Sequence, residues 1–215
     1  TRGDTVGGSQ THVLEATRAM RASGHDARIW LGSEGEFTSV LERARIPYEV
    51  VEGLQWSISP VADFRAYFQL KRSLRAFAPD LISSHSTKAA GLANWAGRAL
   101  GIPVVFTAHG WLFSPGATGV RQRGLRWGHR VIARLASRTI CVCHYDRRLA
   151  IKYGLAPEGR IDVVHNSVAD AEQIPQADPA VAPPHLITVT RLAPPKDVGT
   201  VLEALSNLRE RAWTF

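Results

Sequence analysis

Sulfur is scarce in this chain: its 215 residues include two cysteines and one methionine. Cys141 and Cys143 stand two apart in the run from Thr139 to Cys143, which reads as a strand. That places both thiols on one face, a geometry poorly suited to a mutual disulfide. A disulfide scaffold is excluded, and buried or half-buried reduced thiols suit a cytoplasmic compartment. Joining His144 and His165 to the two cysteines makes no common zinc-ligand spacing, so no metal is expected. No apolar run approaches the roughly 18 residues of a membrane-crossing helix, and no leader with a small-residue cleavage site opens the sequence. The chain starts at Thr1 rather than Met, which leaves room for an upstream segment.

Several catalytic signatures are also missing. There is no G-x-G-x-x-G fingerprint, no P-loop G-K-[S/T] and no G-x-S-x-G nucleophile elbow. No paired carboxylates suggest acid–base hydrolysis: Asp4, Asp80 and Asp162 are scattered, the last two at strand starts. No helix-turn-helix, RNP or zinc-finger pattern supports specific nucleic-acid binding. Internal repeats and low-complexity tracts are absent.

What is present is positive charge and alternation. A net charge of +7 and a pI near 10.0 bias the protein toward phosphates, acidic lipid or other anions. Short apolar runs predict strands at 27–31, 48–51, 81–84, 104–107, 139–142 and 161–164, with a seventh at 186–190. Segments of helical period lie between them, at 10–22, 62–77, 87–100, 121–136 and 145–153. Val13, Ala16, Thr17 and Met20 share one face of the first helix. The alternation predicts an α/β fold, a doubly wound, Rossmann-like parallel sheet. Residues 1–168 form the first domain, the Ala-, Pro- and Asp-rich stretch 169–184 a linker, and 185–215 the first strand–helix unit of a second domain. A doubly wound domain also calls for a central strand ahead of the loop that leads to Val13, so the fold looks truncated at both ends.

Ligands of open α/β sheets bind beyond the C-terminal strand ends. The residues expected there are Gly7 and Gly8 with Gln10 and His12, then His85, Ser86, Thr87 and Lys88, then His109 and Gly110, then Asn166, then Arg191 and Lys196. Gly7 and Gly8 precede a helix whose free N–H groups can receive a phosphate. Arg191 and Lys196 could clamp a diphosphate and stabilise its charge as it leaves. His109, at a strand end beside a glycine, could bind a sugar hydroxyl or accept a proton. Taken singly, each is also explained by a turn glycine, a solvated cation or a core histidine.

Taken together, in order and spacing, these residues resemble family 4 retaining glycosyltransferases of the two-Rossmann GT-B architecture. The resemblance is carried by "GGSQTHV", "PDLISSHSTKAAGLANWAGRALGIPVVFTAHG", "VCHYDRRLAIKYGLAPEGRIDVVHNSV" and "TVTRLAPPKD". The wording is most similar to bacterial enzymes that build surface polysaccharides or lipid-linked glycans. It implies transfer of a hexose from a UDP- or GDP-sugar, with retention, to a glycan or polyprenyl-linked acceptor. His109 would be the catalytic residue, placing the donor's anomeric carbon. Gly7, Gly8, Arg191 and Lys196 would hold the donor diphosphate, while Gln10, His12, His85, Ser86, Thr87, Lys88, Gly110 and Asn166 would face sugar or acceptor. No cofactor and no metal are implied, because Arg and Lys neutralise the leaving group. The family's usual Asn-Gly is here Asn166-Ser167, and Asp197 stands where Gly is common after the Lys. The family's paired glutamates would fall beyond Phe215, so these 215 residues alone are expected to be inactive. The arginine-rich amphipathic stretch Arg121–Arg138, with Trp127, could lie on an anionic membrane at the inner face of the cytoplasmic membrane. Alternatives of other classes are an epimerase on the same fold and a basic, non-enzymatic nucleic-acid-binding module.

Overall fold

Six of the seven expected strands form, and every ladder between them is parallel. The computed structural model describes residues 3–54, 59–167, 178, 180–181, 183, 185–190, 192 and 196–208. In chain order the elements are α1 (Gly8–Ala22), β1 (Ile29–Leu31), α2 (Glu36–Arg43), β2 (Tyr48–Val50), α3 (Pro60–Phe77), β3 (Ile82–His85), α4 (Thr87–Leu100), β4 (Val104–Ala108), α5 (Val120–Leu135), β5 (Arg138–Cys141), α6 (His144–Lys152), β6 (Ile161–Val163) and α7 (Val198–Ser206). The chain divides into two compact units, Thr1–Ala169 and Asp170–Phe215.

In the first unit the sheet is interrupted. β1 pairs with β2, and β3, β4, β5 and β6 pair in that order in a separate sheet. Between the edges of β1 and β3 lies an apolar slot of about 660 Å³, lined by Ile29, Trp30, Leu54, Leu70, Leu74 and Ile82 among others. The expected face of α1, Val13, Ala16, Thr17 and Met20, also lines it. Met20 is therefore 54% exposed, although its spacing reads as core. Among the described residues no strand bridges the two edges, which is why the single sheet expected from the alternation is two.

Three packed clusters hold the unit. β4 supplies Phe106 and Ala108 to a core with Ile132 of α5 and Leu155. Val104 joins Leu70, Leu74, Ile82 and Ala96, which binds α3 and α4 to β3. Val13, Leu14, Ile29, Leu31, Phe37 and Leu41 make the third. Two-sided burial is clearest in β4, buried at four of its five positions, which is why it reads as a continuous apolar run. Asn94, fully buried on α4, donates to the carbonyl of Ile132 at 2.8 Å and so ties α4 to α5.

Two elements depart from the sequence reading. Helix α2 was not expected; it is only eight residues long and buries Phe37, Thr38 and Leu41. Among the described residues the expected strand at 186–190 is reduced to a single β-bridge at His185, and Ile187 and Val189 are 88% and 91% exposed. Helix α7 is capped by Asp197, which accepts from the Thr200 N–H at 3.1 Å and from its hydroxyl at 2.6 Å. An aspartate at this N-cap has a local purpose.

Candidate active site

The topology carries three histidines to one rim. His85 is the last residue of β3, His109 directly follows β4, and His12 lies on the second turn of α1. His85 Nδ1 is 3.1 Å from His109 Nε2. The ring of His12 stands edge-on to both, 5.5 Å from His85 and 5.1 Å from His109 between centroids. Ser83 Oγ lies 3.0 Å from His85 Nε2 and fixes the far side of that ring.

Charge is disfavoured throughout this group. Burial, reinforced by His109, pushes His85 down to about 3. Burial and then His12 push His109 down to about 4, and burial lowers His12 as well. Near neutral pH the three rings are therefore neutral, each with one nitrogen to donate and one to accept. Such a group can bind several hydroxyls of a polyol without adding a fixed charge. One ligand nitrogen from each ring lies within 4.8 Å of the others, so the trio could also hold a divalent transition ion. Sequence spacing gives no hint of this combination, because the three histidines come from separate elements. The imagined Cys141, Cys143, His144 and His165 set is put to other uses. Burial pushes the Cys141 thiol up to about 12. Cys143 caps α6 through Asp146, and His165 Nδ1 bonds with the Val142 carbonyl at 3.1 Å.

The loop after His109 is anchored by aromatics. Trp111 donates to the Asp146 carbonyl at 3.0 Å, and Phe113 is buried. Both rings pack on His129 of α5, 5.1 and 6.0 Å away. The Leu112 N–H donates to His129 Nε2 at 3.2 Å, so the His129 proton sits on Nδ1. Gly110 turns the chain at φ +119°, a conformation that favours glycine. This arrangement fixes the direction in which His109 leaves β4. His129 escapes sequence reasoning because it sits inside an arginine-rich helix; only its helical spacing of three from Ile132 hinted at burial.

The remaining candidates divide. Gly7 caps α1 in extended conformation, φ −146°, and a Cβ on Gly8 would meet nothing within 4 Å. Neither backbone nor packing requires glycine at position 8, and open space is what an approaching anion needs. Ser86 caps α4 at φ +68° and ψ 148°, strained for a side-chain-bearing residue. Thr87 opens α4 and is half-buried. Lys88 is bound to Asp63 at 2.5 Å and is largely buried, so its charge is already matched. Gln10 is turned inward at 6% exposure, its carbonyl oxygen accepting from Ser9 at 2.8 Å. Asn166 is exposed beyond β6, and Lys196 is exposed in the second unit. Arg191 lies outside the described residues.

In the stretch 121–138 the apolar stripe faces inward. Ile132 is buried, and Leu125, Val131 and Leu135 are half-buried. Arg126 bonds the Ala117 carbonyl and stacks 4.7 Å over Tyr153. Arg130 donates to the carbonyls of Tyr153 and Gly154. Trp127 remains 67% exposed. No helix among the described residues is long and apolar enough to cross a membrane.

Residues 7–167 match the model of the glycosyl transferase 4-like domain, well over half of the chain. The chain belongs to this family. An Escherichia coli UDP-Gal:alpha-D-GlcNAc-diphosphoundecaprenol alpha-1,3-galactosyltransferase is 29% identical over 113 residues, which are 52% of this chain and 29% of that one. The lipopolysaccharide outer core galactosyltransferase WaaB, solved in its apo form, superposes with a TM-score of 0.70 at 16% identity. That match covers 98% of this chain and 57% of WaaB. Anabaena Alr3699/HepE, solved in complex with UDP, gives 0.61 at 22% identity, covering 78% of this chain and 43% of that one. The chain thus spans less than a third of the curated relative and about half the length of the structures it matches. The fold is that of GT-B glycosyltransferases.

Proposed function

We propose that the chain is the acceptor-side part of a metal-independent, retaining glycosyltransferase. It would move a hexose from a UDP- or GDP-sugar to a glycan or polyprenyl-linked acceptor in the synthesis of bacterial surface polysaccharide or glycolipid. It would work in the cytoplasm at the inner membrane face. The observation that carries this reading is the meeting of neutral His12, His85 and His109 at the strand-end rim. The open glycine at the N-terminus of α1 adds to it. The UDP in complex with Anabaena Alr3699/HepE and the diphosphoundecaprenol in the name of the E. coli relative support the donor and acceptor classes.

In this reading the α1 N-terminus and Gly8 receive the donor diphosphate, where the helix dipole favours negative charge. Arg191 and Lys196 offset its charge as the bond from the anomeric carbon to the phosphate oxygen breaks. His109 holds a donor hydroxyl and so orients the anomeric carbon. The acceptor oxygen bonds to that carbon on the face the diphosphate leaves, and its proton passes to the departing phosphate. No protein base is needed, in keeping with scattered carboxylates and with histidines whose low pKa makes them weak bases.

The test is a transfer assay on the longest protein that contains this sequence. It should use a panel of UDP- and GDP-sugars with a polyprenyl-diphosphate glycan, and NMR of the product's anomeric centre. A retained linkage from one donor supports the reading. An inverted linkage refutes retention, and interconversion of the nucleotide-sugar without transfer would favour an epimerase.

A further inference from the structure

The exposed face of α3 bears aromatic and basic side chains and no carboxylate. At about 100° per residue, Val61, Phe64, Arg65, Phe68, Lys71, Arg72 and Arg75 fall within an arc of about 120°. Opposite them, Ala66, Leu70 and Leu74 are buried. Val61, Phe64 and Phe68 are 66%, 65% and 51% exposed, and Trp95 of α4 is 62% exposed. These side chains are contiguous. Phe64 and Phe68 lie 4.6 Å apart, Tyr67 touches Phe68 at 5.1 Å, and Tyr67 reaches Trp95 at 5.3 Å. Large exposed apolar groups gathered in one place mark an interaction surface.

Charge identifies the partner. Helices α3 and α4 contain six cations (Arg65, Lys71, Arg72, Arg75, Lys88, Arg98) and one acid, Asp63, which is a net +5 of the chain's +7. Aromatic side chains interleaved with arginine and lysine suit the boundary between headgroups and acyl chains, where rings enter the apolar layer and cations meet anionic headgroups. We propose that this α3–α4 face, and not the Arg121–Arg138 stretch, seats the protein on an anionic bilayer. The Lys88–Asp63 ion pair joins the first turns of α4 and α3, so this end of α3 lies beside the segment that begins at His85. A lipid-linked acceptor would then meet the rim without leaving the membrane. The acceptor part of this statement rests on the transferase reading; the seating does not.

The experiment is co-sedimentation of the longest protein that contains this sequence with vesicles of phosphatidylcholine, with and without about 30% phosphatidylglycerol, at low and high salt. The expected result is at least tenfold stronger partition onto the anionic vesicles, weakened by salt. The triple variant Phe64→Ser, Phe68→Ser, Trp95→Ser should lose at least tenfold, while Arg123→Ala with Trp127→Ala should bind like the parent. All five positions are exposed, and circular dichroism checks that each variant is folded. No preference for anionic vesicles, unchanged binding by the triple variant, or loss confined to the Arg123/Trp127 variant would overturn the proposal. A protein that fails here yet glycosylates a water-soluble acceptor would leave the transferase reading standing.

Discussion

His85 Nδ1 and His109 Nε2 approach to 3.1 Å across two neighbouring parallel strands, and neither ring is charged near neutrality. This pair orients the rim: Ser83 holds His85, and His85 holds His109. In the proposed reading His85 positions His109. His85→Ala should lower kcat about tenfold or more with little change in donor KM, and His85→Gln should recover part of it by restoring a hydrogen bond. Equal losses in both variants would contradict the positioning role.

Gly8 separates stability from function. With open space around its missing Cβ, Gly8→Ala should leave stability unchanged or raise it by up to about 1 kcal/mol. Donor KM should rise at least tenfold if the diphosphate lies against this turn. Thermal unfolding beside donor titration reads both quantities. An unchanged donor KM would move the diphosphate elsewhere.

Ser86 stores strain at φ +68°. Ser86→Gly should relieve about 1 kcal/mol and raise Tm by about 2–4 °C. If the strain serves to set His85 and Thr87, turnover should fall while Tm rises. A fall in Tm would show that the Ser86 side chain contributes more than its backbone costs.

His129 makes stability depend on pH. Burial pushes it down from 6.5 to about 4, and its ring is 1% exposed. The unfolded chain therefore binds more protons than the folded one between these values, and stability rises with pH across that window. The contribution is complete above about 6.5 and is lost as pH falls through about 4. It is worth about 3 kcal/mol at roughly 1.4 kcal/mol per pH unit. Urea titrations at pH 4 and pH 7 measure it, and His129→Leu should shrink the difference between them by about 3 kcal/mol, leaving the part due to His85 and His109. An equal pH dependence in that variant would assign the effect to other groups.

Chelation distinguishes catalysis from adventitious capture. EDTA should leave transfer unchanged, because the proposed leaving-group stabilisation uses Arg191 and Lys196. Added zinc should inhibit by bridging His12, His85 and His109, whose nitrogens are spaced for it. His12→Ala should weaken that inhibition at least tenfold. Loss of activity in EDTA, restored by a metal, would contradict the metal-independent mechanism.

Much of the first unit was legible because most of its strands are short apolar runs and most of its helices end near Gly or Pro. The expected helix 87–100 coincides with α4, and 104–107 falls within β4. Helix α2 was hidden by its brevity, since Phe37, Thr38 and Leu41 give barely two turns of period. The run 186–190, all apolar or β-branched, carries no strand among the described residues, where only His185 ahead of it forms a bridge. The site was legible as separate strand ends, through the topology rule. Contact among His12, His85 and His109 was not, because they are 73 and 24 residues apart and only the folded sheet sets their distances. Lys88 looked free because its partner Asp63 comes from another helix.

The most direct measurement compares His109→Ala with the parent in the transfer assay, using the donor that the parent accepts. The account predicts a loss of two or more orders of magnitude in kcat, with the fold intact by circular dichroism. Transfer that survives the substitution within tenfold would contradict the assignment of His109 as the residue that orients the reacting carbon.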